Sequence, residues 1–128
     1  MLLVKTKLNL SPIHGIGLFA DQFIAAGATT WRFEPNFDIE KTAEDIAAMP
    51  EHIRLWFKHY AYLDWHVNAF ILCVDDARFI NHSDDPNVQT DYSAHAYGTD
   101  FALRDIQPGE EITIDYRLIE KDNWLSGN

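Results

Sequence analysis

Short stretches in which apolar and polar residues alternate run through most of the chain, and this period of two predicts β-strands. The predicted strands are residues 2–8, 18–20, 29–34, 70–74, 99–104 and 112–116. Ala26-Gly27 and Pro108-Gly109 mark turns between them. The pattern therefore favours many short strands joined by tight connections.

The middle of the chain has helical spacing instead. Thr42 and Asp45 form a capping-box pattern that begins a short helix, and Pro50 suits the first turn of a second helix. The second helix has one apolar face made of Ile53, Trp56, Phe57 and Tyr60. That face belongs either to the core or to a homodimer seam. We predict a single domain over 1–128, mainly β or α+β, with a helical insertion at 41–63 and a C-terminal tail at 117–128.

Composition narrows the possible functions. The chain has 128 residues, 47% of them apolar, with 10 basic and 20 acidic side chains and a net charge of −10. This excess of acid argues against direct nucleic-acid binding and against binding to anionic membranes. No apolar run is long enough for a transmembrane helix, and Met1–Leu10 has a strand pattern rather than that of a signal peptide. The single cysteine, Cys73, excludes an internal disulfide and is interpreted as a small buried hydrophobe. We expect a soluble, intracellular protein.

Three separated segments are candidates for chemistry: Gly15-Ile16-Gly17, Arg78–Asn87 (RFINHSDDPN) and Glu111–Tyr116 (EITIDY). Each alone has an ordinary structural interpretation: a glycine turn, a polar turn capped by asparagine side chains, and a strand that ends in a tyrosine. A metal site is an alternative for one group of side chains, although their spacing matches no regular ligand pattern. That group is His82, Asp84, Asp85, Asp91 and His95.

Together, in this order, the three segments resemble the SET-domain protein lysine methyltransferases. The glycine turn resembles the family's first motif, Arg78–Asn87 resembles its RFxNHSxxPN segment, and Glu111–Tyr116 resembles its E-L-x-F-D-Y segment. The resemblance implies a β-clip of small sheets with a C-terminal pseudoknot. It also implies transfer of a methyl group from S-adenosylmethionine to a lysine of a protein or peptide, with a histone-like protein as the expected substrate.

The resemblance also implies roles for individual residues. The backbone of His14, Gly15, Ile16 and Gly17 would carry the cofactor's methionine part. Asn81 would bind the cofactor's amino group through its side-chain carbonyl, and His82 would meet the adenine edge. Arg32 is a candidate partner of the cofactor carboxylate, and Trp124 is a candidate wall closing the site, with packing on the body as its alternative. No metal is implied.

Tyr116 matches the catalytic tyrosine of the family and would orient the amine, without acting as its base. Phe33 and Ile114 would line the lysine channel where many members carry hydroxyl-bearing or aromatic residues. A narrow apolar channel disfavours the ammonium form of lysine, whose ordinary pKa is about 10.4.

Several alternatives stay open. Asp84, Asp85, Asp91 and Asp100 either draw a cationic peptide to the groove or form a solvated face. The domain is either an enzyme or a non-catalytic module that binds S-adenosylmethionine or a basic peptide, and a non-protein amine is a third possible target. The location is cytoplasmic or associated with the nucleoid or chromatin, and the protein is a possible homodimer.

Overall fold

The computed structural model describes residues 1–119, and these residues form ten short strands and two α-helices. The strands are Thr6–Leu10 (β1), Ile16–Ala20 (β2), Thr29–Arg32 (β3), Ile39–Lys41 (β4), Tyr62–Asp64 (β5), Ala69–Leu72 (β6), Asn81–His82 (β7), Val88–Asp91 (β8), Thr99–Ala102 (β9) and Thr113–Ile114 (β10). The helices are Ala43–Ala47 (α1) and Glu51–Tyr60 (α2), and 3₁₀ turns occupy Asp76–Phe79 and Tyr116–Leu118. The prediction of a mainly β fold with a small helical part is confirmed.

The described strands form four small sheets. β1 and β2 make an antiparallel hairpin, β3-β9-β8 and β4-β6-β5 are three-stranded antiparallel sheets, and β7 pairs with β10 in parallel. The parallel pair joins Asn81 to Thr113 and His82 to Ile114, across more than thirty positions of the chain. This pairing lays the second motif segment against the third, as a C-terminal pseudoknot requires.

The two helices lie between β4 and β5, inside the predicted insertion at 41–63. The Thr42 hydroxyl accepts the Asp45 N–H at 3.1 Å and the Asp45 carboxylate accepts the Thr42 N–H at 3.0 Å, so the capping box is confirmed. Pro50 is the N-cap of α2. Phe57 is buried in a small apolar cluster, whereas Trp56 is 41% exposed. The predicted apolar face is therefore core at Phe57 and solvent-facing at Trp56.

The main core lies under the β1–β2 hairpin and under the paired motif segments 81–87 and 111–116, which we call the knot. Its buried members are Leu18, Ala20, Ile24, Val88, Ala102, Ile106, Ile112, Ile114 and Ile119. Cys73 is buried beside Trp31 and Ala77, as the sequence predicts, and burial raises the pKa of its thiol.

The ends of several predicted strands are wrong. The first strand is Thr6–Leu10 rather than residues 2–8, and the strand predicted at 112–116 is limited to β10. The physical reason at β10 is local, because the Asp115 carboxylate accepts the Arg117 N–H at 3.0 Å and starts a 3₁₀ turn. Such a side-chain cap competes successfully with a strand ladder.

Candidate active site

The glycine turn lies beside Asn81. Gly15 has a positive φ of 46°, and no described atom lies within 4 Å of the position that a Cβ would take there. The Asn81 side chain, 7% exposed, donates from Nδ2 to the His14 carbonyl at 3.0 Å. The first and second motif segments are therefore in direct contact, 67 positions apart, with open space on the glycine side.

Glu111 organises this contact, and the sequence analysis gave it no role. Its carboxylate accepts the Ser11 hydroxyl at 2.8 Å and Asn81 Nδ2 at 2.9 Å. The Ser11 hydroxyl in turn accepts the Ile13 N–H at 2.9 Å, which orders the turn before Gly15. Glutamate is the first residue of the third motif segment, and that position is the signal that identifies it.

Asn87 holds the second and third segments together. Its side chain donates to the Glu111 carbonyl at 2.8 Å and accepts the Thr113 N–H at 2.9 Å, and it is 3% exposed. The Ser83 N–H also donates to the Ile114 carbonyl at 3.0 Å. An asparagine amide has both a donor and an acceptor, so a single side chain satisfies two backbone groups inside the knot.

His82 connects the knot to Tyr116. Its Nδ1 accepts the Tyr116 backbone N–H at 3.1 Å, and its Nε2 lies 2.9 Å from the Asp84 carboxylate. In the neutral ring these partners assign the proton to Nε2, because a backbone N–H can only donate to Nδ1. Hydrogen bonds from Arg117 hold the pKa of the Asp115 carboxyl below its usual range. The arrangement fits a positioning role for His82.

Tyr116 lines a cavity of about 110 Å³ next to the knot. Its hydroxyl donates to the Ile80 carbonyl, which holds the phenol oxygen beside Ile80. Ile114, predicted for the channel, lines the same cavity, together with Trp31, Tyr62, Thr90, Asp100 and others. The indole Nε1 of Trp31 is buried and has no hydrogen-bond partner among residues 1–119.

Asp100 is not on the surface with the other acidic residues. Asp84, Asp85 and Asp91 are exposed, whereas Asp100 is 7% exposed and lines the Tyr116 cavity. The Thr90 hydroxyl donates to its Oδ1 at 2.6 Å, and burial raises the pKa of Asp100 to about 7. Of the two alternatives for the four acidic residues, the solvated face is therefore excluded for Asp100.

Arg32 and Phe33 line a second cavity, of about 250 Å³, rather than the Tyr116 cavity. Phe33 stacks on Tyr97 with ring centroids 4.0 Å apart, and Arg32 pairs with Glu34 at 2.7 Å. Their predicted roles toward cofactor and channel stay predictions. Trp124 lies outside the described residues, so its predicted role is untested.

Residues 1–119 contain no helix that is both long and apolar enough to cross a membrane. Within the same residues, no cluster of three or more His, Cys, Asp or Glu side chains is arranged to hold a metal ion.

Comparison with known proteins agrees with this geometry. The family model of the SET domain matches residues 15–117. The histone-lysine N-methyltransferase trithorax proteins of Drosophila virilis and Drosophila melanogaster are 31% and 30% identical over 131 aligned positions. Each alignment covers 90% of this chain but only 3% of the relative, so this chain spans a small part of those proteins.

Two solved structures share the fold. A Plasmodium falciparum protein, named as a candidate histone methyltransferase, has a TM-score of 0.62 at 21% identity, covering 90% of this chain and 95% of that one. A humanized mutant of the Chaetomium thermophilum Polycomb Repressive Complex 2 has a TM-score of 0.66 at 20% identity, covering 94% and 16%. The predicted SET-type fold is confirmed. Because the family model matches most of its length and the knot joins its three motif segments, this chain belongs to the SET domain family.

Proposed function

We propose that the protein is a protein lysine N-methyltransferase that uses S-adenosylmethionine. The observation that carries the proposal is the contact of Asn81 with the His14 carbonyl, on the strand whose next residue, His82, holds Tyr116. Three segments that are far apart in the sequence thereby come into contact. The relatives named as histone-lysine N-methyltransferases support the same reaction class.

The residues around the glycine turn fit the amino-acid end of the cofactor. Open space beside Gly15 lets a ligand approach the backbone closely, which a side chain would obstruct. Asn81 donates from Nδ2 to the His14 carbonyl and to the Glu111 carboxylate. Its side-chain oxygen is therefore the atom that we assign to a ligand ammonium. The bound cofactor supplies a methyl group on a positively charged sulfur, an electrophile that an amine lone pair can attack.

We assign orientation of the substrate amine to Tyr116. The hydrogen bond to Ile80 fixes its phenol at the cavity wall, and a phenol oxygen can accept an N–H from an amine. Such an acceptor aligns the amine lone pair without forming a covalent bond, so its contribution to the rate is one of positioning. His82 Nδ1 accepts the backbone N–H of Tyr116, and we assign His82 the role of a positioning residue.

We propose a basic protein as the substrate. The net charge of −10 and the exposed carboxylates of Asp84, Asp85 and Asp91 favour association with a cationic segment. The names of the curated relatives favour a histone-like substrate and a location at chromatin. Histone tails are therefore the first probe.

The test incubates the protein with isotopically labelled S-adenosylmethionine and core histones, and locates the label by mass spectrometry. We expect label on lysine, and we expect Tyr116→Phe to lower kcat by about tenfold or more while calorimetric cofactor binding stays unchanged. Cofactor binding without transfer to any basic protein would support a non-catalytic module instead. Absence of both binding and transfer would contradict the proposal.

A further inference from the structure

The wall of the Tyr116 cavity contains a buried carboxyl group, that of Asp100, which has no role in the reaction proposed above. Asp100 is on β9, the central strand of its sheet, directly opposite Trp31 on β3 and Thr90 on β8. All three side chains line the same cavity. The pairing register thus places a carboxylate in the wall of the space that Tyr116 faces.

This carboxyl group forms no ion pair among the described residues. No Lys, Arg or His among residues 1–119 pairs with Asp100; the Met1 ammonium pairs with Asp38 and acts on Asp100 only through its charge, which lowers the pKa of Asp100. The Thr90 hydroxyl is the donor that holds it, at 2.6 Å. A buried carboxylate without a cation is costly to keep, which favours a role in binding a cation from outside.

The cavity wall contains, besides this carboxyl group, a buried N–H group that lacks a hydrogen-bond partner among residues 1–119. The Trp31 indole N–H, 3% exposed as a residue, has no partner among the described residues and belongs to the same wall. A cavity of about 110 Å³ has room for several water molecules, and so for a slender polar chain. Both observations point to a polar occupant.

We propose that Asp100 binds the ammonium group of the substrate lysine and accepts its proton before methyl transfer. One N–H bond breaks, one O–H bond forms on the carboxylate, and the electron pair stays on nitrogen as the nucleophile. The carboxylic acid returns the proton to solvent after the methylated lysine leaves. This inference rests on the proposed function, which supplies the lysine.

The surrounding titratable groups are compatible with this role. The pKa of about 7 lets Asp100 exchange a proton near neutral pH, whereas burial raises the pKa values of Tyr62 and Cys73 and keeps both neutral. The other titratable or charged groups that act on Asp100 or Tyr62, or share the cavity wall, are Met1, His59, Tyr60, Asp64, Arg78, Tyr92, Tyr97 and Tyr116.

The first experiment measures amine binding without cofactor or turnover. n-Butylamine, a minimal lysine side chain, is titrated at pH 8 into wild-type protein and Asp100→Asn, followed by NMR, with 1-butanol as the neutral control ligand. We expect the amine to bind about tenfold more weakly to Asp100→Asn, because a hydrogen bond to a charged group is lost. The alcohol should bind both proteins equally, and equal affinity for the amine would overturn the inference.

The second experiment measures the pH profile of kcat/KM on core histones, because this ratio reports the pKa values of the free enzyme and free substrate. In the wild type we expect activity to rise with pH through about 7 as Asp100 ionises. In Asp100→Asn the rise should move toward the ordinary lysine pKa of about 10.4, whereas the charge-matched surface variant Asp21→Asn should keep the wild-type profile.

Thr90→Val provides a second variant that retains the carboxyl group. The Thr90 hydrogen bond lowers the pKa of Asp100, so its loss should shift the acidic limb of the profile to higher pH. Unchanged profiles in both Asp100→Asn and Thr90→Val would refute a proton-accepting role. If the wild type transfers no methyl group but still binds n-butylamine through Asp100, the proposed function fails and the ammonium site stands.

Discussion

Replacing Gly17 with alanine tests whether close contact with the Glu111 carboxylate is the reason why position 17 needs glycine. A Cβ at Gly17 would lie 2.4 Å from Glu111 Oε2, 2.9 Å from Glu111 Cδ and 3.0 Å from the Ser11 Cβ. Its φ does not fall in the left-handed region, so the backbone tolerates alanine and the obstacle is the Glu111 carboxylate. Either this carboxylate or the hairpin must move.

The magnitude follows from the bonds that the moving carboxylate breaks. Glu111 accepts hydrogen bonds from Ser11 and Asn81, and bonds to a charged group contribute about 1.5–3 kcal/mol each. Loss of one or both, or the equivalent overpacking strain, lowers the free energy of unfolding by about 2–4 kcal/mol. Cofactor binding should weaken as well, because Asn81 loses one of the two groups that orient it.

The assay is a double-mutant cycle in urea with Gly17→Ala, Glu111→Ala and the combination. Removing the carboxylate also removes the two closest atoms, so Gly17→Ala should cost little in the Glu111→Ala background. We expect the double variant to be about 2 kcal/mol more stable than the sum of the two single effects predicts.

Gly27→Ala is the matched control. Gly27 has a φ of +85°, and no described atom lies near its Cβ position, so alanine there costs about 1–2 kcal/mol of backbone strain only. That cost should add to the effect of Glu111→Ala without coupling. If the effects of Gly17→Ala and Glu111→Ala are additive, or if Gly17→Ala is as stable as the wild type, the contact with Glu111 is not the reason why position 17 needs glycine.

Two further predictions concern the knot and the buried acid. Asn87→Ala removes the hydrogen bonds to the Glu111 carbonyl and the Thr113 N–H and leaves the Thr113 N–H buried without its partner, so unfolding in urea should show a loss of about 2–4 kcal/mol; a loss under 1 kcal/mol would contradict its bracing role. Asp100 has a folded pKa raised to about 7, so the folded state binds more protons than the unfolded state between about pH 4 and 7, and wild-type stability falls as pH rises through that window. Relative to the wild type, Asp100→Asn should therefore gain up to about 4 kcal/mol at pH 8 and nothing below pH 4, and parallel stability curves would contradict the raised pKa.

Features that depend on neighbouring residues were predictable from the chain alone. The capping box of Thr42 and Asp45 and the turn at Gly15 form through contacts within a few positions. The spacing of the motif segments also identified Asn81, His82 and Tyr116 as a group, although their individual roles stay proposals. The local patterns and the order of the motif segments were therefore sufficient to predict the fold class and the family resemblance.

The faces of the short strands were decided by tertiary packing. In the strand predicted at 99–104 the apolar alternation favours Phe101 and Leu103 as inward residues, yet Asp100 and Ala102 are buried, and Leu103 is 42% exposed and lies beyond the end of β9. A four-residue strand carries too little apolar surface to select its own face, so the sheets packed around it make the choice.

Sequence alone determined the local turns, the helix start and the order of the motif segments, because short-range hydrogen bonds and backbone preferences act within a few residues. Tertiary structure alone decided that Ser11 meets Glu111 across 100 positions and that Asp100 lines the Tyr116 cavity. These contacts arise when separate sheets bury their apolar faces together, and burial also changes the chemistry of the groups it encloses. A carboxyl group that is ordinary in the sequence becomes a candidate proton acceptor only after the fold has removed it from water.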